Sequence, residues 1–288
     1  MRTILSLLIL NFAVGVSAHP GGGIVALSED SALVADPTEN FIWLMQKGQE
    51  PKKVVSKFHG HWMTRGLDGN LYVEAFGERG GAWATAAFRL DVSAGKVTQV
   101  ADHDELGVMV FAVDRDGSLV FQRGGRLVSR KNGKEVPFTS AGEDLKLGEV
   151  TAYVWSAEGD LIFADRNRIR RMDSKGVTRL VAEIEGKVLE PKIWNTADVP
   201  IVFGLAVDKG GDVLATVPHL AKVYLIGKDG GLKEVICNEG SWRATGVSVF
   251  GDTIFLMESD SRASTSPRVR ILRGDGGIET LMLPPRVK

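Results

Sequence analysis

The chain has 288 residues, 44% of them hydrophobic and 25% charged, with a formal net charge of -1. That is the composition of a globular protein with a full core, and it lacks the basic excess that electrostatic binding to nucleic acid requires. A single cysteine, Cys237, excludes an intramolecular disulfide and any multi-cysteine metal centre.

Residues 1–18 read as a secretory signal peptide: Arg2, an apolar run from Ile4 to Val16, and small residues at Val16 and Ala18. The run is short for a bilayer span, and His19-Pro20-Gly21-Gly22-Gly23 does not continue a helix. The expectation is an exported chain, secreted or periplasmic, whose mature part, residues 19–288, is one domain. No second apolar stretch of membrane length follows.

From there the chain repeats. An apolar strand meets an acidic or glycine turn and a second strand starts at once, as in Arg65-Gly66-Leu67-Asp68-Gly69-Asn70-Leu71 and Val113-Asp114-Arg115-Asp116-Gly117-Ser118-Leu119. Equivalent turns are anchored at Gly159, Gly211 and Gly251, and at Asp30, where glycine is replaced. The six anchors stand roughly 40–50 residues apart, the length of a four-stranded propeller blade. Glycine at 34 positions fits the many turns, and Asp-Gly suits two-residue hairpins because both residues tolerate positive φ. Second hairpins fall at Ser174-Lys175-Gly176, Lys228-Asp229-Gly230-Gly231 and Asp275-Gly276-Gly277. The reading is an all-β chain, a six-bladed β-propeller of four-stranded antiparallel blades.

Two stretches carry a resemblance. Phe203-Gly204-Leu205-Ala206-Val207-Asp208 and Asp165-Arg166-Asn167-Arg168-Ile169-Arg170-Arg171 resemble the NHL-repeat signature. The resemblance implies an NHL-type propeller, a fold shared by lactonases, lyases and proteins that only bind. For the gluconolactonase-like calcium enzymes it places ligands at Gly21, Phe203 and Thr245, none of which is a carboxylate. Neither a Gly-x-Ser-x-Gly elbow nor a His-Glu-x-x-His motif occurs in the mature chain, so no catalytic residue and no cofactor is assigned. Arg166, Arg168 and Arg170 are expected along one face of a solvated strand.

The site expectation comes from connectivity. Tight turns share one face of the disc and are too short to build a pocket. The long connections 77–83, 186–200 and 260–267 share the other face, and all five histidines fall on or near it. His59 and His61 have the spacing that puts two imidazoles on one side of a strand. His103 lies between blades, His219 follows a second strand, and His19 opens the mature chain. Trp43, Trp62 and Trp155 are expected to pack between blades, while Trp83, Trp194 and Trp242 fall in loops. His59, His61, His103, His219, Trp83 and Trp242 are therefore the candidate binding residues; histidines bonded only to loop backbone are the alternative. The functional reading is a binding or scaffold module for a protein, peptide or glycan on the long-loop face. The alternative is a metal-dependent hydrolase or lyase with its site at the channel mouth.

Overall fold

Runs such as Leu119-Val120-Phe121 and Leu161-Ile162-Phe163 are apolar at every position, and every one of these residues is buried. A strand needs such a run when both faces of its sheet are covered by other sheets. The computed structural model describes residues 22–79, 82–101, 110–139, 146–189, 199–237, 240–260 and 267–284, with the backbone alone at 76–79, 82–84 and 237. Six four-stranded antiparallel sheets follow one another, each with its strands in chain order. The first holds β1 (Ile24–Ser28), β2 (Ser31–Asp36), β3 (Phe41–Gln46) and β4 (Lys52–Ser56). The second holds β5 (Gly60–Arg65), β6 (Leu71–Arg79), β7 (Ala82–Asp91) and β8 (Lys96–Ala101). The third holds β9 (Ala112–Val113), β10 (Leu119–Arg123), β11 (Arg126–Lys131) and β12 (Lys134–Pro137). The fourth holds β13 (Val150–Trp155), β14 (Leu161–Asp165), β15 (Arg168–Met172) and β16 (Thr178–Glu183). The fifth holds β17 (Gly204–Val207), β18 (Val213–Val217), β19 (Lys222–Ile226) and β20 (Leu232–Cys237). The sixth holds β21 (Trp242–Phe250), β22 (Thr253–Asp260), β23 (Arg268–Leu272) and β24 (Ile278–Met282). The chain is a six-bladed β-propeller.

Successive side chains on a strand point to opposite faces, so each blade supplies two layers of core. On β10, Leu119 and Phe121 pack with Tyr72 of the second blade, while Val120 packs with Tyr153 and Phe163 of the fourth. The fourth strands are outermost, and β12 is exposed throughout. Among the described residues no strand is exchanged between the first and sixth blades. The ring closes by packing Phe255, Met257, Val269 and Ile271 of the sixth blade on Ile24, Ala26, Trp43 and Met45 of the first. Two polar links reinforce the seam: Ala26 N–H donates to Ser248 Oγ (2.9 Å), and Arg273 pairs with Asp30 (2.6 Å).

All six anchors lie between first and second strands, but the expected two-residue hairpin is not the common form. In the second blade the connection spans residues 66–70, closed by Gly66 N–H to Asn70 O and Gly69 N–H to Gly66 O. The glycine is still required, with φ +84° at Gly69, +81° at Gly117 and +88° at Gly159. Two-residue turns occur at Gly251-Asp252 and at Glu29-Asp30. Asp30 replaces glycine because its φ is not positive, and the bulge between Ala26 and Ser28 absorbs the mismatch with strand twist.

Three further expectations are corrected. Residues 77–79 and 82–83 are not irregular: β6 and β7 continue to pair through Gly77↔Ala84, Glu78↔Trp83 and Arg79↔Ala82. Trp83 thus lies in a strand, and so does Trp242, at the start of β21. Arg166 has left the strand. It takes φ +58° in the turn after Asp165, so of the three only Arg168 and Arg170 lie on β15, and Arg170 is mostly buried, 3.7 Å from Asp165.

Candidate functional site

The site builds from a β-bulge. In β5 the register with β6 slips between Gly60, opposite Ala75, and Met63, opposite Val73. His61 and Trp62 thus lack direct ladder partners, and the bulge re-aims both side chains. Glu74 faces the gap and accepts the His61 N–H through Oε2 at 3.2 Å. Gly60 is needed for this approach, since a methyl there would stand 2.9 Å from Val73 and 3.0 Å from Glu74 O.

Above the bulge the rings of His59 and His61 meet edge to face, centroids 4.5 Å apart. The His59 ring is held by Asn40, whose Oδ1 is 2.6 Å from Nδ1, and by the Pro37 carbonyl. Partial burial pulls the His59 imidazole below its usual range, so it is neutral at neutral pH. His61 Nδ1 lies 3.7 Å from Glu74 Oε2. Glu74 has no exposed surface, and burial pushes its carboxyl up to about 8 despite the His61 and Trp62 main-chain N–H groups. Its Oε1 has no hydrogen-bond partner among the described residues.

The same device recurs in two other blades. A bulge between Val150 and Ala152 stands beside Asp165, and one between Ala244 and Gly246 stands beside Glu258. These carboxylates are engaged locally. Asp165 Oδ1 accepts the Gly148 and Glu149 N–H groups, and Glu258 pairs with Arg268 (2.7 Å) and Arg270 (2.6 Å).

The axis on this face is filled. Trp62 is buried, donates Nε1–H to Phe111 O (3.3 Å) and packs with Ala152, Val202 and Leu205. A methyl on Gly22 would meet Thr245 O at 3.1 Å, Phe203 O at 3.2 Å and the Trp62 ring at 3.4 Å. The residues of this chain do not fit an axial calcium ion: Phe203 and Thr245 bring no carboxylate, and an indole and backbone occupy the space. Among the described residues, no three His, Cys, Asp or Glu side chains are grouped to hold a metal ion.

Of the expected site residues, His59 and His61 have their rings in contact, although His59 precedes β5 and the bulge, not strand alternation, sets the direction of His61. His219 is corrected. It sits in the 3-10 turn Pro218–Leu220, 1% exposed and edge-on to Phe203, so it underlies the face and cannot meet a ligand. Trp242 is half-buried beneath the Arg268 guanidinium, 4.3 Å from its ring. His19, His103 and Trp194, and the Trp83 side chain, lie outside what the structure describes. Trp43 and Trp62 are buried and Trp155 packs on the core between the third and fourth blades. Sequence reasoning missed Asn40 and Glu74. A glutamate inside Leu71-Tyr72-Val73-Glu74-Ala75 was the available signal, because an inner strand covered on both faces rarely carries a charge.

No family model matches the chain, and no curated protein matches it in sequence. Solved structures do. One chain of a nidogen/laminin complex superposes with a TM-score of 0.62 at 15% identity, covering 88% of this chain and 93% of that one. A putative gluconolactonase gives 0.61 at 15%, covering 92% and 91%. Virginiamycin B lyase from Staphylococcus aureus gives 0.54 at 14%, covering 93% and 85%. At such identities the likeness shows the fold alone. The NHL resemblance remains one of motif.

Proposed function

We propose that the chain is an exported propeller that binds a peptide, glycan or protein ligand on its long-connection face. The site is centred on His59 and His61, with Trp242 at its rim; His103 and the Trp83 side chain, expected beside them from the sequence, lie outside the described residues. The observation that carries this reading is the fixed imidazole pair, one ring held by Asn40 and Pro37 and the other set over Glu74. Rings already held in place lose little freedom on binding, which favours recognition. The nidogen/laminin neighbour, part of a protein–protein complex, supports the same reading. Export rests on residues 1–18, and mass spectrometry finding His19 at the mature N-terminus tests it.

A metal-dependent hydrolase or lyase at the channel mouth ranks second. The names of the lyase and gluconolactonase neighbours favour it, but Phe203, Thr245 and Trp62 supply no ligand set. Labelled protein on peptide and glycan arrays tests the first reading. His59→Ala/His61→Ala should lose the array signal while keeping the far-ultraviolet circular dichroism of a folded β chain. An undiminished signal overturns the site.

A further inference from the structure

We infer that the axial channel is a second ligand site, opening on the short-hairpin face and suited to a small organic acid with an apolar body. The tight turns do border a pocket, contrary to the expectation from their length. The inner strands enclose about 530 Å³, inside the range of roughly 300–1,000 Å³ usual for small-molecule sites. Trp62, Gly22 and Gly204 bound the cavity at one end. A methyl on Gly22 there would meet Thr245 O at 3.1 Å, Phe203 O at 3.2 Å and the Trp62 ring at 3.4 Å, groups from three different blades, so that end is filled. At the other end the lining runs out to Leu67, Ala157 and Phe250, and Phe250 is 42% exposed.

The shaft between them carries apolar side chains, among them Val25, Met63, Leu205 and Val247. One lining residue is charged, and it is Arg65 at the hairpin end. Its guanidinium donates two long bonds to main-chain carbonyls, Gly69 O at 3.4 Å and Ala26 O at 3.3 Å. Four carboxylates on the surrounding hairpins pair with other cations, Asp30 with Arg273, Asp116 with Lys131, Asp160 with Arg171 and Asp252 with Lys209. Asp68, on the hairpin of Arg65 itself, accepts from Tyr72 Oη (2.6 Å) and Asn70. A ligand carboxylate would replace long bonds to neutral carbonyls at Arg65 with an ion pair, while its hydrocarbon leaves water for the shaft.

Isothermal titration with octanoate, and with octan-1-ol as the uncharged control, tests the inference. The parent should bind octanoate at one saturable site. Arg65→Met should weaken octanoate about tenfold and leave octan-1-ol unchanged, as loss of one charged hydrogen-bonding partner predicts. Ala157→Trp, at the exposed lip, should abolish octanoate binding without unfolding the chain. His59→Ala/His61→Ala should alter neither ligand, which keeps this site separate from the one on the opposite face. No saturable octanoate binding by the parent, equal affinity in Arg65→Met, or retained binding in Ala157→Trp overturns the inference.

Discussion

One carboxylate oxygen of Glu74 lies 3.2 Å from the main-chain nitrogen of His61 and 3.7 Å from its Nδ1. A single buried acid therefore holds the bulged backbone by a hydrogen bond and lies beneath the imidazole that the bulge presents. The cost appears in its titration, because burial disfavours the charged form.

With its pKa raised from 4.5 to about 8, Glu74 stays protonated in the folded chain where the unfolded chain ionises it. Across that window the unfolded state binds fewer protons, so stability falls as pH rises. The contribution is complete below the unfolded value and lost on passing the folded one. Glu74→Gln keeps the shape and removes the titration. His59, held below its usual 6.5, acts in the opposite sense at acid pH, so the comparison is made against this variant. Between about pH 5 and about pH 8 the parent should lose at least about 4 °C of Tm relative to Glu74→Gln. Parallel melting curves would show that the carboxyl is already ionised.

Glu258 illustrates the other way to bury an acid. Arg268 and Arg270 flank it at 2.7 and 2.6 Å, with no exposed surface on the glutamate. Glu258→Gln would remove the buried negative charge that both guanidinium groups face and cost roughly 3–5 kcal/mol. Lys209 and Asp252 approach equally closely, 2.6 Å, but their side chains are 70% and 63% exposed. Lys209→Ala should cost under about 1 kcal/mol, since solvent screens such pairs. Urea unfolding of the two variants side by side separates the cases; similar midpoints would mean that water reaches Glu258.

These two acids also mark where sequence stops being legible. The blades could be read because their signal is local. A glycine with positive φ at 69, 117, 159 or 211 is dictated by its own turn, and the apolar runs beside it by burial on both faces. Bulges leave no such mark: nothing in Gly60-His61-Trp62-Met63 says that the register will slip there and turn His61 toward Glu74. The His59–His61 pair could be marked from its closeness in the chain, but not the geometry that joins the rings, since His59 precedes β5. The burial of His219 depends on Phe203, which reaches it only once the fifth blade has folded. The axial plug is less legible still, since Gly22, Trp62, Phe203 and Thr245 come from four parts of the chain.

Glycines divide along the same line. Gly69 is required by its φ of +84° and has nothing within 4 Å of where a methyl would stand. Gly69→Ala should cost only the conformational penalty, about 1–2 kcal/mol. Gly246 has ordinary backbone angles but sits at the seam where the ring closes. A methyl there would be 2.5 Å from Gly22 O and 3.0 Å from Ile24 Cγ2. Backbone cannot step aside as a side chain can, so β21 and β1 would have to separate. The neighbouring link from Ala26 N–H to Ser248 Oγ and the packing of Ile24 on Phe255 and Met257 would be disturbed with it. Gly246→Ala should therefore cost about 3 kcal/mol or more, the upper end for overpacking. Thermal melts of the two variants decide the matter: if Gly246→Ala melts no lower than Gly69→Ala, the first and sixth blades are not in backbone contact at the axis.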